Sequence, residues 1–237
     1  ATDMGADVPS ARINHTAMWD GNEMIIWGGS GNTANLKSGG RYDPTTDHWA
    51  ATDMGVNVPS GRSYHTAIWS GHEMIIWGGS GLGGSLNTGG RYDPASDAWT
   101  ATGLGANVPS GRHIHSAIWS GNEMIVWGGY GGGNLNTGGR YNPVTDSWVE
   151  TDLGIDVPSG RTDHTVIWSG SDMIIWGGYG SSHLNTGGRY NPGTDQWTAT
   201  SLGAQVPSVR SHHTAIWSGV EMIIWGGDNQ VGYTPFN

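Results

Sequence analysis

Five times along this chain of 237 residues the sequence reads Arg-x-x-His-[Thr/Ser]. The histidines are His15, His65, His115, His164 and His213, spaced by 50, 50, 49 and 49 residues. A tryptophan follows each one, at Trp19, Trp69, Trp119, Trp168 and Trp217. Next comes Met-Ile-Ile/Val-Trp-Gly-Gly, ending at Gly29, Gly79, Gly129, Gly178 and Gly227. Four copies run on into Gly-Gly-Arg-Tyr-Asp/Asn-Pro and a second tryptophan, giving the pairs Tyr42/Trp49, Tyr92/Trp99, Tyr141/Trp148 and Tyr190/Trp197. A period of this length sets the architecture before any single residue is considered.

Each copy reads as four short strands. Strand a covers His15 to Trp19, strand b Glu23 to Trp27, strand c the region of Gly40 to Tyr42, and strand d the region of Trp49 to Asp53. Asp20-Gly21 marks the a–b turn, Asp43-Pro44 the c–d turn and Val8-Pro9-Ser10 the d–a connection. Trp, Tyr, Ile, Val and Thr fill the strands, and no helical periodicity survives the Gly and Pro interruptions. The chain is expected to be all-β.

Composition then excludes several classes. No run approaches the ~20 apolar residues of a membrane helix. Cysteine is absent, so there is no disulfide framework and no thiol nucleophile. A net charge of −10 disfavours non-specific nucleic-acid binding and docking on anionic lipid. The 14 tryptophans argue against disorder, although Gly numbers 42. The chain starts at Ala1 without Met or a leader, so a processed, secreted or excised chain is expected and the compartment is left open.

Four strands per copy at a period near 50 is the pattern of a propeller blade. The Gly-Gly doublet, the Tyr and the spaced Trp resemble the kelch repeat over essentially the whole chain. The ends add an expectation. Residues 1–5 match the d strands at 51–55, 101–105, 151–154 and 199–203, and residues 231–235 match strand c. The reading is therefore one domain over 1–237, a closed ring of five blades with repeats at about 6–55, 56–105, 106–154, 155–203 and 204–237. Its last blade would be completed by the N-terminal d strand, which removes an open edge. A monomer is expected. Exchange of strands between chains is the rival.

Repetition in every copy gives several residues a structural reading. The Gly-Gly doublets fit strand ends with positive φ, and no helix or Lys-Ser/Thr partner follows to make a phosphate loop. Asp47, Asp97, Asp146 and Asp195 fit turn caps. Arg12, Arg62, Arg112, Arg161 and Arg210 fit structural hydrogen bonds, with a ring of guanidinium groups gripping an anion as the functional alternative. His15, His65, His115, His164 and His213 fit structural hydrogen bonding. A divalent metal on this ring is the weaker reading, because one histidine per copy spreads the ligands. No cofactor is expected.

The copies differ in two places. After each arginine they read Ile13-Asn14, Ser63-Tyr64, His113-Ile114, Thr162-Asp163 and Ser211-His212. The b–c loops run from Ser30, Ser80, Tyr130 and Tyr179, with a short Asp228-Asn229-Gln230 in the fifth copy. In a four-stranded blade the b–c and d–a connections emerge on one face, and variable loops on a rigid scaffold carry binding. The candidate contacts are Tyr64, His113, Tyr130, Asp163, Tyr179, His183 and His212, together with the five arginines. Drift in exposed loops is the competing explanation.

No repeat-breaking catalytic constellation, nucleophile elbow or Walker loop is present. The resemblance implies mostly protein-binding propellers, with some carbohydrate or oxidase chemistry. The copper oxidase of that group needs a cysteine-modified tyrosine, which a chain without Cys cannot form. The expectation is a non-enzymatic binding scaffold for a protein or glycan. A multivalent lectin, an enzyme site at the channel mouth, and an excised or engineered propeller stay open as alternatives.

Overall fold

The computed structural model describes residue 5 and residues 7–229. The described residues form an all-β repeat architecture of four four-stranded and two two-stranded antiparallel sheets, consistent with a kelch-type propeller. In the first copy β1 (Thr16–Trp19), β2 (Met24–Trp27), β3 (Gly39–Asp43) and β4 (His48–Ala51) pair in chain order. The second copy contains β5 (Thr66–Trp69), β6 (Met74–Trp77), β9 (Gly89–Asp93) and β10 (Ala98–Ala101). A small hairpin, β7 (Ser80–Gly81) with β8 (Gly84–Ser85), stands in its b–c loop. The third copy has β11 (Ser116–Trp119), β12 (Met124–Trp127), β13 (Gly138–Asn142) and β14 (Ser147–Glu150). The fourth has β15 (Thr165–Trp168), β16 (Met173–Trp176), β17 (Gly187–Asn191) and β18 (Gln196–Ala199), and the fifth β19 (Thr214–Trp217) and β20 (Met222–Trp225). The expected c strand at 231–235 and nearly all of the expected d strand at 1–5 lie outside the described residues, and the expected ring closure lies there with them.

Register places Thr16 opposite Trp27, Met24 opposite Tyr42 and Tyr42 opposite Trp49. The a–b turn closes because the Asp20 carboxylate accepts from the Asn22 and Glu23 amides at 2.7 Å each. Strand d ends sooner than the sequence suggests. The Asp53 amide leaves the sheet and donates to the Asp97 carboxylate of the next copy at 3.0 Å. Asp97 also accepts from the Tyr92 hydroxyl. Asp97, at φ +50°, therefore ties neighbouring copies together as well as shaping its own turn, and Asp195, at φ +55°, does the same by accepting from the Asp152 amide at 3.1 Å.

The chain divides into two compact units. One holds Ala1–His113 with Pro143–Ser147, and the other holds Ile114–Asn142 with Trp148–Asn237. Each unit has its core between successive copies. Strand alternation sends Ile25 and Trp27 to one face of the first copy and Met24 and Ile26 to the other. In the first unit Met18, Ile25 and Trp27 pack on Met74, Ile76, Tyr92 and Trp99 of the second copy. In the second unit Ile118, Ile125 and Trp127 pack in the same way on Met173, Ile175, Tyr190 and Trp197. The shared face is what the repeated aromatics serve.

Candidate ligand-binding face

The d–a and b–c connections of one copy meet through short bridges. Ile13 pairs with Ser30 and Ser63 with Ser80 in the first unit, while Thr162 pairs with Tyr179 and Ser211 with Asp228 in the second. The residues that differ between copies are thus held beside one another.

The repeated arginines are held by backbone carbonyls of these connections. Arg62 donates from Nη1 to the Gly78 carbonyl at 2.9 Å and to the Thr88 carbonyl, and from Nε to the Ser60 carbonyl at 3.0 Å. Arg161 makes the same set to Gly177, Thr186 and Ser159. Arg12 reaches Gly28 and Ser38, and Arg210 reaches Gly226 and Ser208. Arg112 is buried and donates to the Ser110 carbonyl. Burial lowers the Arg62, Arg112 and Arg161 guanidinium groups to about 10, so they stay cationic at neutral pH. Arg12, Arg62 and Arg161 thus clamp the end of strand b to the end of the b–c loop.

The repeated histidines act between copies. His65 Nε2 shares a hydrogen bond with Thr16 Oγ1 at 2.9 Å, and its ring stands edge-on to Trp27 with centroids 5.4 Å apart. His164 meets Ser116 Oγ and His213 meets Thr165 Oγ1, both at 2.8 Å. Burial, then the charge of the neighbouring arginine, lowers His65 and His164 to about 3 and His213 to about 4. His115 is buried and His15 is exposed. Among the described residues no group of three or more His, Asp and Glu side chains is placed to hold a metal ion.

One backbone feature recurs in the d–a connections of both units. Asn14, Tyr64, Ile114, Asp163 and His212 all sit at φ +54°. Asn and Asp tolerate this left-handed region, but a β-branched residue such as Ile114 is an outlier there. In the first unit the Tyr64 amide donates to the Asn14 carbonyl at 3.2 Å. Tyr64 is 45% exposed and its ring lies 6.4 Å from that of His113, whose Nδ1 meets Ser85 Oγ at 2.9 Å.

The second unit gathers more. His212 Nε2 lies 3.4 Å from the Asp163 carboxylate and its Nδ1 lies 3.4 Å from that of Asp228. The other Asp228 oxygen lies 3.5 Å from His183 Nε2. Tyr179 stands edge-on to His183 at 5.1 Å, and Tyr130 is half-exposed. Of the residues singled out in the sequence, Tyr64 and His113 come together in the first unit, and Asp163, Tyr179, His183 and His212 in the second. Sequence reasoning left Asn14, Ile114 and Asp228 out of the set. Their signal was available, because each stands at a position where the copies differ.

A separate cleft of about 780 Å³ in the first unit, lined by Trp19, Glu23, Trp69, His72 and Asp93, opens at the a–b and c–d turns and not on this face. A family model described as the KLHDC2/KLHL20/DRC7 Kelch-repeats domain matches residues 2–153 and 114–237. No curated protein matches the chain. The family matches span nearly the whole sequence and take in every repeated Arg-x-x-His, Gly-Gly and Tyr/Trp position. The chain belongs to the kelch-repeat family.

Proposed function

We propose that this chain is a non-enzymatic interaction scaffold that takes a peptide or protein ligand on the face built by its b–c and d–a loops. One observation carries the reading. Five near-identical copies hold five different residues, Asn14, Tyr64, Ile114, Asp163 and His212, at one strained backbone position. Strain of about 1–3 kcal/mol persists where something other than stability maintains it. A purely structural position would settle on Asn or Gly in every copy. Unlike side chains held on one frame, Asn14 with Tyr64 in the first unit and Ile114 with Asp163 and His212 in the second, are what recognition of an asymmetric ligand requires. Kelch-repeat identity supports the scaffold reading over an enzymatic one.

Selection of a random displayed peptide library on the intact chain tests this, with a glycan array run beside it. Tyr64→Asn and Asp163→Asn keep a residue that tolerates the left-handed backbone while removing the ligand chemistry. Each enriched peptide is expected to lose at least about tenfold in affinity, or ~1.4 kcal/mol, to the variant of the unit that binds it. Val220→Ser, on the a–b turn away from this face, should leave them unchanged. Peptides indifferent to both Asn variants would defeat the proposal. A glycan hit with the same sensitivity would transfer the site to the lectin reading.

A further inference from the structure

Four connections of the fourth and fifth copies converge on one cluster in the second unit. The d–a connections supply Asp163 and His212, and the b–c loops supply His183 and Asp228. Backbone bonds hold these connections together in pairs. Thr162 and Tyr179 exchange amide-to-carbonyl bonds at 2.9 and 2.8 Å, and Ser211 and Asp228 exchange them at 3.0 Å. The His212 amide donates to the Asp163 carbonyl at 3.4 Å, and both residues sit at φ +54°. The b–c loop of the third copy, tied on where Asn134 Nδ2 donates to the Gly180 carbonyl, brings Tyr130 and no charged residue.

His212 turns a ring nitrogen to each of two carboxylates. Nε2 lies 3.4 Å from Asp163, while Nδ1 lies 3.4 Å from Asp228 and 3.1 Å from Ser211 Oγ. A neutral imidazole has one N–H and one lone pair. With its proton on Nε2, the neutral ring faces Asp163 with a donor and accepts from the Ser211 hydroxyl, which leaves Asp228 without a donor. The Asp228 Oδ1 atom is buried and accepts no hydrogen bond among the described residues. It lies 3.5 Å from Nε2 of His183, a side chain only 10% exposed. All three separations from a carboxylate exceed the about 2.7–3.2 Å of an N–H···O bond. Among the described residues these two histidines are the only ion-pair partners of Asp163 and Asp228. Arg161 and Arg210 donate to the Gly177 and Gly226 carbonyls, His164 and His213 meet Ser116 and Thr165, and Tyr179 stands edge-on to His183.

We propose that His212 and His183 form a proton-operated latch that withdraws Asp163 and Asp228 from a ligand as pH falls, a regulation that rests on the ligand reading given above. Histidine is the side chain whose charge changes between pH 5 and 8. Protonation gives each ring a second N–H and a positive charge. His212 then donates to Asp163 and Asp228 together, and His183 donates to the buried Asp228 oxygen. Charge-assisted bonds of this kind are shorter and about twice as strong as neutral ones. They tie the d–a and b–c connections of two copies to one another. A peptide that uses the Asp163 carboxylate must then compete with the protein's own imidazolium for it.

Nitrogen-15 NMR of the imidazole rings in the intact chain, with no peptide added, reads the latch itself. At pH 5 both ring N–H protons of His212 should exchange slowly with solvent. Asp228→Ala should remove that protection at Nδ1, and Asp163→Gly, which suits the left-handed backbone, should remove it at Nε2. Ring protons that exchange freely in the intact chain at pH 5 would overturn the latch whatever the ligand. Peptides selected for sensitivity to Asp163→Asn read the regulation. They should bind at least about tenfold more weakly at pH 5 than at pH 7.5. His212→Asn, which also suits that backbone, should remove most of the difference. Equal affinity at the two pH values, or a loss that survives His212→Asn, would overturn the proposal. Protected ring protons in a chain that enriches no such peptide would support the latch and defeat the ligand reading instead.

Discussion

A histidine closed between a hydroxyl and an indole has little access to a second proton. His65 stands so between Thr16 and Trp27, and His164 and His213 repeat the arrangement on Ser116/Trp127 and Thr165/Trp176. Burial holds His65 and His164 at about 3 and His213 at about 4, below the ordinary 6.5. The unfolded chain therefore takes up protons near pH 6.5 that the folded chain refuses. The sign follows from linkage: stability is fully present above pH 6.5 and is lost as pH falls toward the folded-state values. Each of the three residues contributes a slope of up to ~1.4 kcal/mol per pH unit. Urea unfolding between pH 7 and pH 4 should show a steady decline, and His65→Gln should flatten it by one proton's share. A flat profile over that window would show that these rings titrate freely in the folded protein.

At the scale of the strand, the Gly-Gly doublet that ends each b strand makes close approach between copies possible. Gly28 lies at φ +68°, and a Cβ there would come within 2.7 Å of His65 Cε1 and 3.0 Å of the Arg62 carbonyl. The adjoining Gly29 amide donates to that same carbonyl at 2.8 Å. Gly28→Ala thus combines left-handed strain with displacement of the histidine pin and is expected to cost about 2–5 kcal/mol. Gly21→Ala is the control, since it meets nothing within 4 Å and pays in backbone strain alone. Equal denaturation midpoints for the two variants would mean that the pin is not tight. Much of this scale was legible in advance. Asp20-Gly21 and Asp43-Pro44 announced their turns, and alternation around Ile25 announced two buried faces. What stayed hidden depends on neighbours distant in sequence. The early end of β4 follows from Asp97 one copy away, and the carbonyls that occupy Arg62 come from Gly78 and Thr88. The same holds for the candidate face. Tyr64, Asp163 and His212 stood out because the copies differ there, while the left-handed backbone that links them to Asn14 and Ile114, and the approach of Asp228 to two histidines, arise only when the loops are packed.

For the molecule as a whole, stability in a repeat array is approximately a sum of repeat terms and nearest-neighbour interface terms. The same side chain should then have different consequences in the middle and at the end. Trp127 is fully buried against Met173, Tyr190 and Trp197, and its ring lies 5.4 Å from that of Trp197. Truncating it to alanine removes a central interface term, about 3–5 kcal/mol for a large aromatic. Trp225 occupies the equivalent position but is 66% exposed. In an isolated chain Trp225→Ala removes little buried surface, so its unfolding midpoint should shift by a small fraction of the Trp127→Ala shift. Urea midpoints of the two variants, measured beside the intact chain, make the comparison. A Trp225→Ala deficit as large as that of Trp127→Ala would show that the exposure of Trp225 does not set its energetic weight and would defeat the nearest-neighbour reading.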